Sequence, residues 1–282
     1  MRLKLKALVS LIGSLWVSSC TVLGFAYLNF PADKSTLKID ENIAYGNAAH
    51  QKLDIYRPTA AKGNQPVILY FYGGGWTMGS KDDYLFMADT LAKQGFIVVI
   101  PDYVKYPEAK FPTFIEDAAQ ATEWTYQHIA EYGGDPKNMH ILGHSAGGHM
   151  GALLVSDPRY LKGKIPIRSF VGLAGPYSFT PKEEIYKKIF GPPENYPNMQ
   201  VTTFITGKEP PMLLLYGGKD DVVGQFNMEK LSEAIRAKGG VVETKIYPKL
   251  GHIDIMTGFS PAWKLDEPVV EDTISFFKTH SN

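Results

Sequence analysis

Between Asn138 and Met150 the chain reads Asn-Met-His-Ile-Leu-Gly-His-Ser-Ala-Gly-Gly-His-Met, and few local folds accept that order. Met139 to Leu142 is a short apolar run of the kind buried strands use, and the residues after Ser145 have helix-forming character. Gly143-His144-Ser145-Ala146-Gly147 therefore spans a sharp strand-to-helix turn. Such a turn strains the serine, and only glycine is small enough two residues to either side. It exposes the Ser145 hydroxyl at the carboxyl end of the strand and sets the next N–H at a helix N-terminus, where it can face an oxyanion. Five loosely constrained positions also recur by chance as a plain glycine turn, so the surrounding pattern decides.

That pattern is an alternation of strands and helices. Leu53 to Arg57 alternates apolar with polar and stops at Pro58, which predicts a half-exposed strand near a sheet edge. Pro66 to Tyr72, Phe96 to Ile100, Ser169 to Ala174 and Pro211 to Tyr216 are continuous short apolar runs, the signature of buried parallel strands. Helical spacing between them marks Asp83 to Gln94, Phe114 to Tyr132, Asn227 to Lys238 and Glu267 to Lys278. Val241 to Tyr247 adds a late strand, whereas Pro176 to Lys208 breaks the rhythm with proline and aromatics and reads as a small insertion near residues 176–208. The expected architecture is α/β, a mostly parallel sheet with helices on both faces. Ligands in such sheets bind beyond the carboxyl ends of the strands. Gly73-Gly74-Gly75, Ser145, Asp220 and His252 all fall there.

A serine hydroxyl becomes a useful nucleophile when an imidazole takes its proton and a carboxylate holds that imidazole in one tautomer. Of the seven histidines, His252 follows a late strand in a Gly-His turn. His144 and His149 flank the serine, where packing or a supporting role is expected. For the carboxylate, Asp220 and Asp221 are adjacent, and neighbours seldom both face one ring. Asp102 also ends a strand but precedes the serine, and is expected to brace loops.

From about Asp54 to Phe277 the chain resembles α/β-hydrolase fold carboxylesterases of the hormone-sensitive-lipase-like and feruloyl-esterase-like bacterial kind, with echoes of arylformamidases and prenylcysteine methylesterases. The matching pieces are Gly73-Gly74-Gly75-Trp76, Asp102-Tyr103, Tyr132-Gly-Gly-Asp-Pro136, Gly143-His-Ser-Ala-Gly-Gly148, Gly172-Leu-Ala-Gly-Pro-Tyr177 and Gly251-His252. The resemblance implies Ser145, Asp220 and His252 as a triad, Asp220 being favoured by the family's Gly-x-x-Asp spacing after Gly217. It implies Gly74, Gly75 and Ala146 as donors to the oxyanion, and no cofactor or metal. The implied activity is hydrolysis of small or aromatic carboxylic esters through an acyl-enzyme. An amidase or arylformamidase would use the same residues, and a non-catalytic binding module would keep only the fold. Two departures stand out: Tyr72 opens the glycine loop where the family has histidine, and Asp102-Tyr-Val-Lys105 replaces Asp-Tyr-Arg-Leu. The aromatic side chains Trp76, Tyr84, Tyr103, Tyr106, Phe179 and Phe190 are candidates for an apolar pocket or for plain core.

The N-terminus carries a different message. Arg2, Lys4 and Lys6 precede an uncharged run from Ala7 to Phe30, and Val17-Ser-Ser-Cys20 resembles the lipobox of bacterial lipoproteins. Residues 1–30 are thus expected to be a signal peptide or a membrane anchor, 31–49 a linker, and 50–282 the catalytic domain. Either anchor, a lipid on Cys20 or an uncleaved helix, puts the folded part outside the cytoplasm. Cys20 is the only cysteine, so no intrachain disulfide forms. Lys plus Arg and Asp plus Glu are equal at 29 each, which leaves no net field to attract nucleic acid.

Overall fold

A computed structural model describes residues 23–60, 63–161 and 165–281. The backbone of the fold is an eight-stranded sheet in the order β1-β2-β4-β3-β5-β6-β7-β8. In chain order the strands are β1 (Leu37–Ala44), β2 (Lys52–Pro58), β3 (Gln65–Phe71), β4 (Ile97–Pro101), β5 (Gly134–His144), β6 (Ile167–Leu173), β7 (Met212–Gly217) and β8 (Val242–Tyr247). Pairing is parallel from β4 through β8, and β2 runs antiparallel to both β1 and β4. Met139 to His144 in β5 are all buried. Successive side chains point to opposite faces, so a strand buried at every position needs cover on both.

The cover comes from helices placed between the strands: α1 (Leu85–Ala92), α2 (Thr113–His128), α3 (Ala146–Ser156), α4 (Glu184–Phe190), α5 (Phe226–Ala237) and α6 (Val269–Thr279). Helix α3 lies very close to the sheet because its first turn is glycine-rich. A Cβ added at Gly147 would sit 1.9 Å from the Phe71 carbonyl oxygen, and one at Gly151 would meet Ile141 and Phe170 at 2.8 Å. The expected insertion holds α4 and two short 3-10 turns, Pro193–Asn198 and Val201–Thr203, between β6 and β7. Among the described residues no helix is long and apolar enough to cross a membrane.

Three sequence expectations need correction. Residues 31–49 are not a linker: they contain β1, which pairs with β2 from Leu37–Pro58 to Ala44–Lys52 around a bulge at Asn42. Nor is β2 a half-exposed edge strand: it lies between β1 and β4, and Leu53, Asp54, Ile55 and Tyr56 are all buried. Finally, the fold does not begin at residue 50. Residues 23–29 are helical and dock on it: Ser260 Oγ donates to the Leu28 carbonyl (2.6 Å), and Asn29 bonds both the Asp83 carbonyl and the Phe86 N–H at 2.9 Å. The lipobox, Cys20 and the rest of the N-terminal run lie outside the described residues.

Candidate active site

Ser145 stands between β5 and α3 with φ 51° and ψ −119°, a left-handed conformation that a residue with a side chain adopts only under constraint. The constraint is visible. The Ser145 N–H donates to the Leu173 carbonyl at the end of β6 (2.9 Å), and a Cβ at Gly143 would come within 2.4 Å of the Gly147 carbonyl oxygen. The strand, the turn and the helix are packed too tightly for any residue but glycine at either flank.

His252 reaches Ser145 from the loop after β8. Its Nε2 lies 2.9 Å from Ser145 Oγ, and its Nδ1 lies 2.8 Å from Asp220 Oδ2. Asp220 sits on the loop after β7, and its other oxygen accepts the N–H groups of Val222 (2.9 Å) and Val223 (2.8 Å). Burial alone would raise its pKa; the hydrogen bonds from His252 and the two N–H groups outweigh that, and the carboxyl lies below its ordinary value. The loops bearing acid and base are stitched together, Gly218 N–H to the Tyr247 carbonyl (2.7 Å) and Lys219 N–H to the Leu250 carbonyl (2.8 Å). Asp221 is exposed and does not join the group. So the structure brings together Ser145, His252 and Asp220, and leaves Asp221 in solvent.

The glycine loop after β3 lies against the serine: a Cβ at Gly73 would be 3.1 Å from the Ser145 Cβ. Gly74 (φ 124°) and Gly75 (φ 57°) both need positive φ, and the Gly74 carbonyl turns the loop back by accepting from Thr77 (3.0 Å) and Met78 (3.1 Å). Among the described residues, the N–H groups of Gly74 and Gly75 have no acceptor. Ala146 opens α3, so its N–H is one of the donors a helix leaves unpaired. A negative oxygen beside Ser145 would find donors on both sides.

The two departures from the family pattern turn out to be coupled. Tyr72 stacks between Tyr84 (5.3 Å) and Tyr103 (4.8 Å), and its hydroxyl donates to Asp102 Oδ1 at 2.5 Å. Asp102 also takes the Lys81 N–H (2.9 Å), and Lys105 Nζ lies over both the Tyr72 and Tyr103 rings. Asp102 thus braces the glycine loop from behind, as its place before the serine predicted. Of the six aromatics singled out from sequence, Tyr84 and Tyr103 are core around Tyr72. Trp76 and Phe190 are core as well, forming one cluster with Phe114, His149 and the partly buried Phe179 between the glycine loop and the insertion, and Tyr106 is partly buried against the core. His149 Nε2 donates to the Met199 carbonyl (2.8 Å), and burial holds its pKa down to about 4. Sequence reasoning missed Asp254, whose Oδ2 accepts the Gly251 N–H (2.8 Å) and fixes the turn that presents His252. An aspartate three residues past a turn glycine was the available signal. Among the described residues no group of three or more His, Cys, Asp or Glu side chains could hold a metal ion.

The prolyl oligopeptidase family profile matches residues 113–282, more than half of the chain. The chain belongs to that family. A second profile, BD-FAE, matches residues 53–165, which contain the glycine loop and the elbow. Among curated relatives, isoprenylcysteine alpha-carbonyl methylesterase ICME of Arabidopsis thaliana is 27% identical over 244 residues, 77% of this chain and 57% of that protein. The probable carboxylic ester hydrolase LipM of Mycobacterium tuberculosis is 32% identical over 203 residues, 64% of this chain and 47% of that one. The chain spans between 57% and 65% of the length of the first such relatives. Among solved structures, inhibited esterase B from Lactobacillus rhamnosis superposes with a TM-score of 0.80 at 18% identity, covering 98% of this chain and 97% of that one. A truncated carbohydrate esterase from gut microbiota gives a TM-score of 0.78 at 22% identity, over 89% and 99% of the two chains. At such identities the likeness is one of fold, and that fold is the α/β-hydrolase.

Proposed function

We propose that this chain is a serine esterase that hydrolyses small or aromatic carboxylic esters in two steps. The observation that carries the reading is the Ser145–His252–Asp220 line, with both hydrogen bonds under 3 Å and free N–H groups on either side of the hydroxyl. In the first step His252 Nε2 takes the Ser145 proton as Oγ attacks the ester carbonyl. Asp220 keeps Nδ1 protonated and offsets the charge on the imidazolium. Gly74, Gly75 and Ala146 donate to the oxyanion, the interaction that gains most as charge develops. His252 then returns the proton to the departing alkoxide, and water repeats the sequence on the acyl-serine. The relatives, a methylesterase and a probable carboxylic ester hydrolase, favour an ester over an amide. Phe179, partly buried and stacked on Trp76 of the glycine loop, supports an apolar or aromatic substrate group.

The test is a panel of matched esters and amides with wild type and Ser145→Ala, together with fluorophosphonate labelling. Wild type is expected to turn over esters and to label at Ser145. The alanine variant should lose turnover and labelling while keeping a residual rate of about 10³-fold over water from the oxyanion donors. Ester turnover near the wild-type rate in Ser145→Ala would overturn the reading.

For its place in the cell, we propose attachment to a membrane with the fold outside the cytoplasm. The basic start, apolar run and Cys20 support this. With residues 23–29 engaged in the fold, the run left from Ala7 to Val22 falls short of the roughly 20 residues that a spanning helix needs. That favours a lipid on Cys20 over an uncleaved helix.

A further inference from the structure

We propose that His144, the residue before the nucleophile, is a positioning residue that holds the catalytic base in register with Ser145. The inference rests on the esterase reading above. His144 Nε2–H donates to the backbone carbonyl of His252 itself at 3.0 Å. Its ring centre lies 5.0 Å from that of His252, and it is 3% exposed. On its other side it abuts the glycine loop, since a Cβ at Gly73 would come within 2.9 Å of His144 Nδ1. One buried imidazole therefore touches the three parts that must agree: it adjoins the serine in sequence, grips the base through its carbonyl and backs the loop of oxyanion donors.

The need for such a tie follows from the sheet. His252 is carried on the loop after β8, the edge strand, whose side chains are largely exposed. Ser145 sits on the buried centre of the sheet. The bonds to the Asp220 loop tie His252 to β7, but Ser145 stands on β5, and misplacement of about 1 Å between base and serine costs roughly 100-fold in rate. The hydrogen bond from His144 ties the two limbs across 108 residues of sequence.

The chemistry also explains why the donor is an imidazole. His252 becomes an imidazolium in each transition state, and a lysine or arginine at position 144 would place a second cation beside it. Burial, then the neighbouring His252, hold the pKa of His144 down to about 3, so it donates without charge. His252 and Asp220 are the titratable groups that face it.

Three substitutions test this. His144→Gln keeps a donor able to reach the His252 carbonyl. His144→Asn offers an amide nitrogen only where the ring's Nδ1 stood, and His144→Phe fills the space with no donor. We expect the Asn and Phe variants to lose about 10- to 100-fold in kcat and in the rate of fluorophosphonate labelling, with KM within about twofold of wild type. The Gln variant should recover most of that loss and keep the acid limb of the wild-type pH profile. The Asn and Gln variants decide the matter if thermal melts show that the Phe variant does not fold. Wild-type kcat in Asn, or equal losses in Asn and Gln, would overturn the proposal. Loss of the acid limb in Gln would also overturn it, because His144 would then be the titrating base. Should wild type itself neither label nor turn over esters, the esterase reading fails instead, and the two failures are distinct.

Discussion

Asp220 and Asp221 are adjacent and identical in chemistry, yet their surroundings differ. Asp220 spends both carboxylate oxygens on donors, one on His252 and one on two N–H groups of its own loop, whereas Asp221 is exposed. Replacing Asp220 with Asn presents an amide that can no longer fix the imidazole tautomer. Asp220→Asn should therefore lower kcat by about 10⁴-fold with the fold intact. Asp221→Asn should leave kcat close to wild type. Steady-state kinetics on one good ester checks both, and the opposite ranking would move the acid to the other neighbour. The residue scale also accounts for Tyr72. A histidine is not required ahead of Gly73 because the loop's backbone supplies the oxyanion donors, and Tyr72 holds that loop through Asp102.

At the scale of elements, the strand-turn-helix unit is the most tightly constrained piece. Gly147 allows α3 to press against the carboxyl end of β3, with a would-be Cβ 1.9 Å from the Phe71 carbonyl oxygen. Gly147→Ala must push the helix off the sheet, which costs about 1–3 kcal/mol or more by overpacking. It also shifts the Ala146 N–H that faces the oxyanion. The expected outcome is a lower melting temperature together with slow fluorophosphonate labelling. A variant that melts and labels like wild type would show that α3 does not need this close approach. The edge elements behave differently. In β8 inward and outward positions alternate, and β1 is mostly solvent-facing, so both tolerate polar sequence and neither announces itself as strongly as β3 or β7.

For the whole molecule, three buried histidines make acid the natural route to unfolding. Burial holds His140 and His144 down to about 3 and His149 to about 4, against an ordinary 6.5. Between those values the unfolded chain binds protons that the native state refuses. Stability is therefore greatest above about pH 6.5 and falls as pH drops toward the folded values, each histidine contributing up to about 1.4 kcal/mol per pH unit. Urea midpoints at pH 7 and pH 5.5 check the sign: the midpoint should be clearly lower at pH 5.5, and an equal or higher one would contradict it. The N-terminal proposal belongs to this scale as well. Cys20→Ala should block lipidation and the normal cut, leaving a longer chain, whereas wild type should begin at a lipidated Cys20. Intact mass from membrane fractions distinguishes the two. An unmodified chain starting at Met1 in both would favour the uncleaved helix.

What the sequence determined by itself is what short-range physics writes into it. The elbow needs glycine at 143 and 147, buried parallel strands need continuous apolar runs, and ligand-facing residues such as Ser145 and His252 fall at strand ends. Each of these is a local demand on residue type, so each is legible without neighbours. The tertiary structure decided whatever depends on contacts far apart in the chain. β1 reads as a polar linker because its pairing with β2 contributes mainly backbone hydrogen bonds, which leave no mark on residue type. Residues 23–29 read as the end of a leader because their partners Asp83, Phe86 and Ser260 are remote. Asp220 and Asp221 were separable only weakly from spacing, since which carboxylate turns toward His252 depends on how two loops meet. The bond from His144 to the His252 carbonyl links positions 108 apart, and no local pattern encodes it.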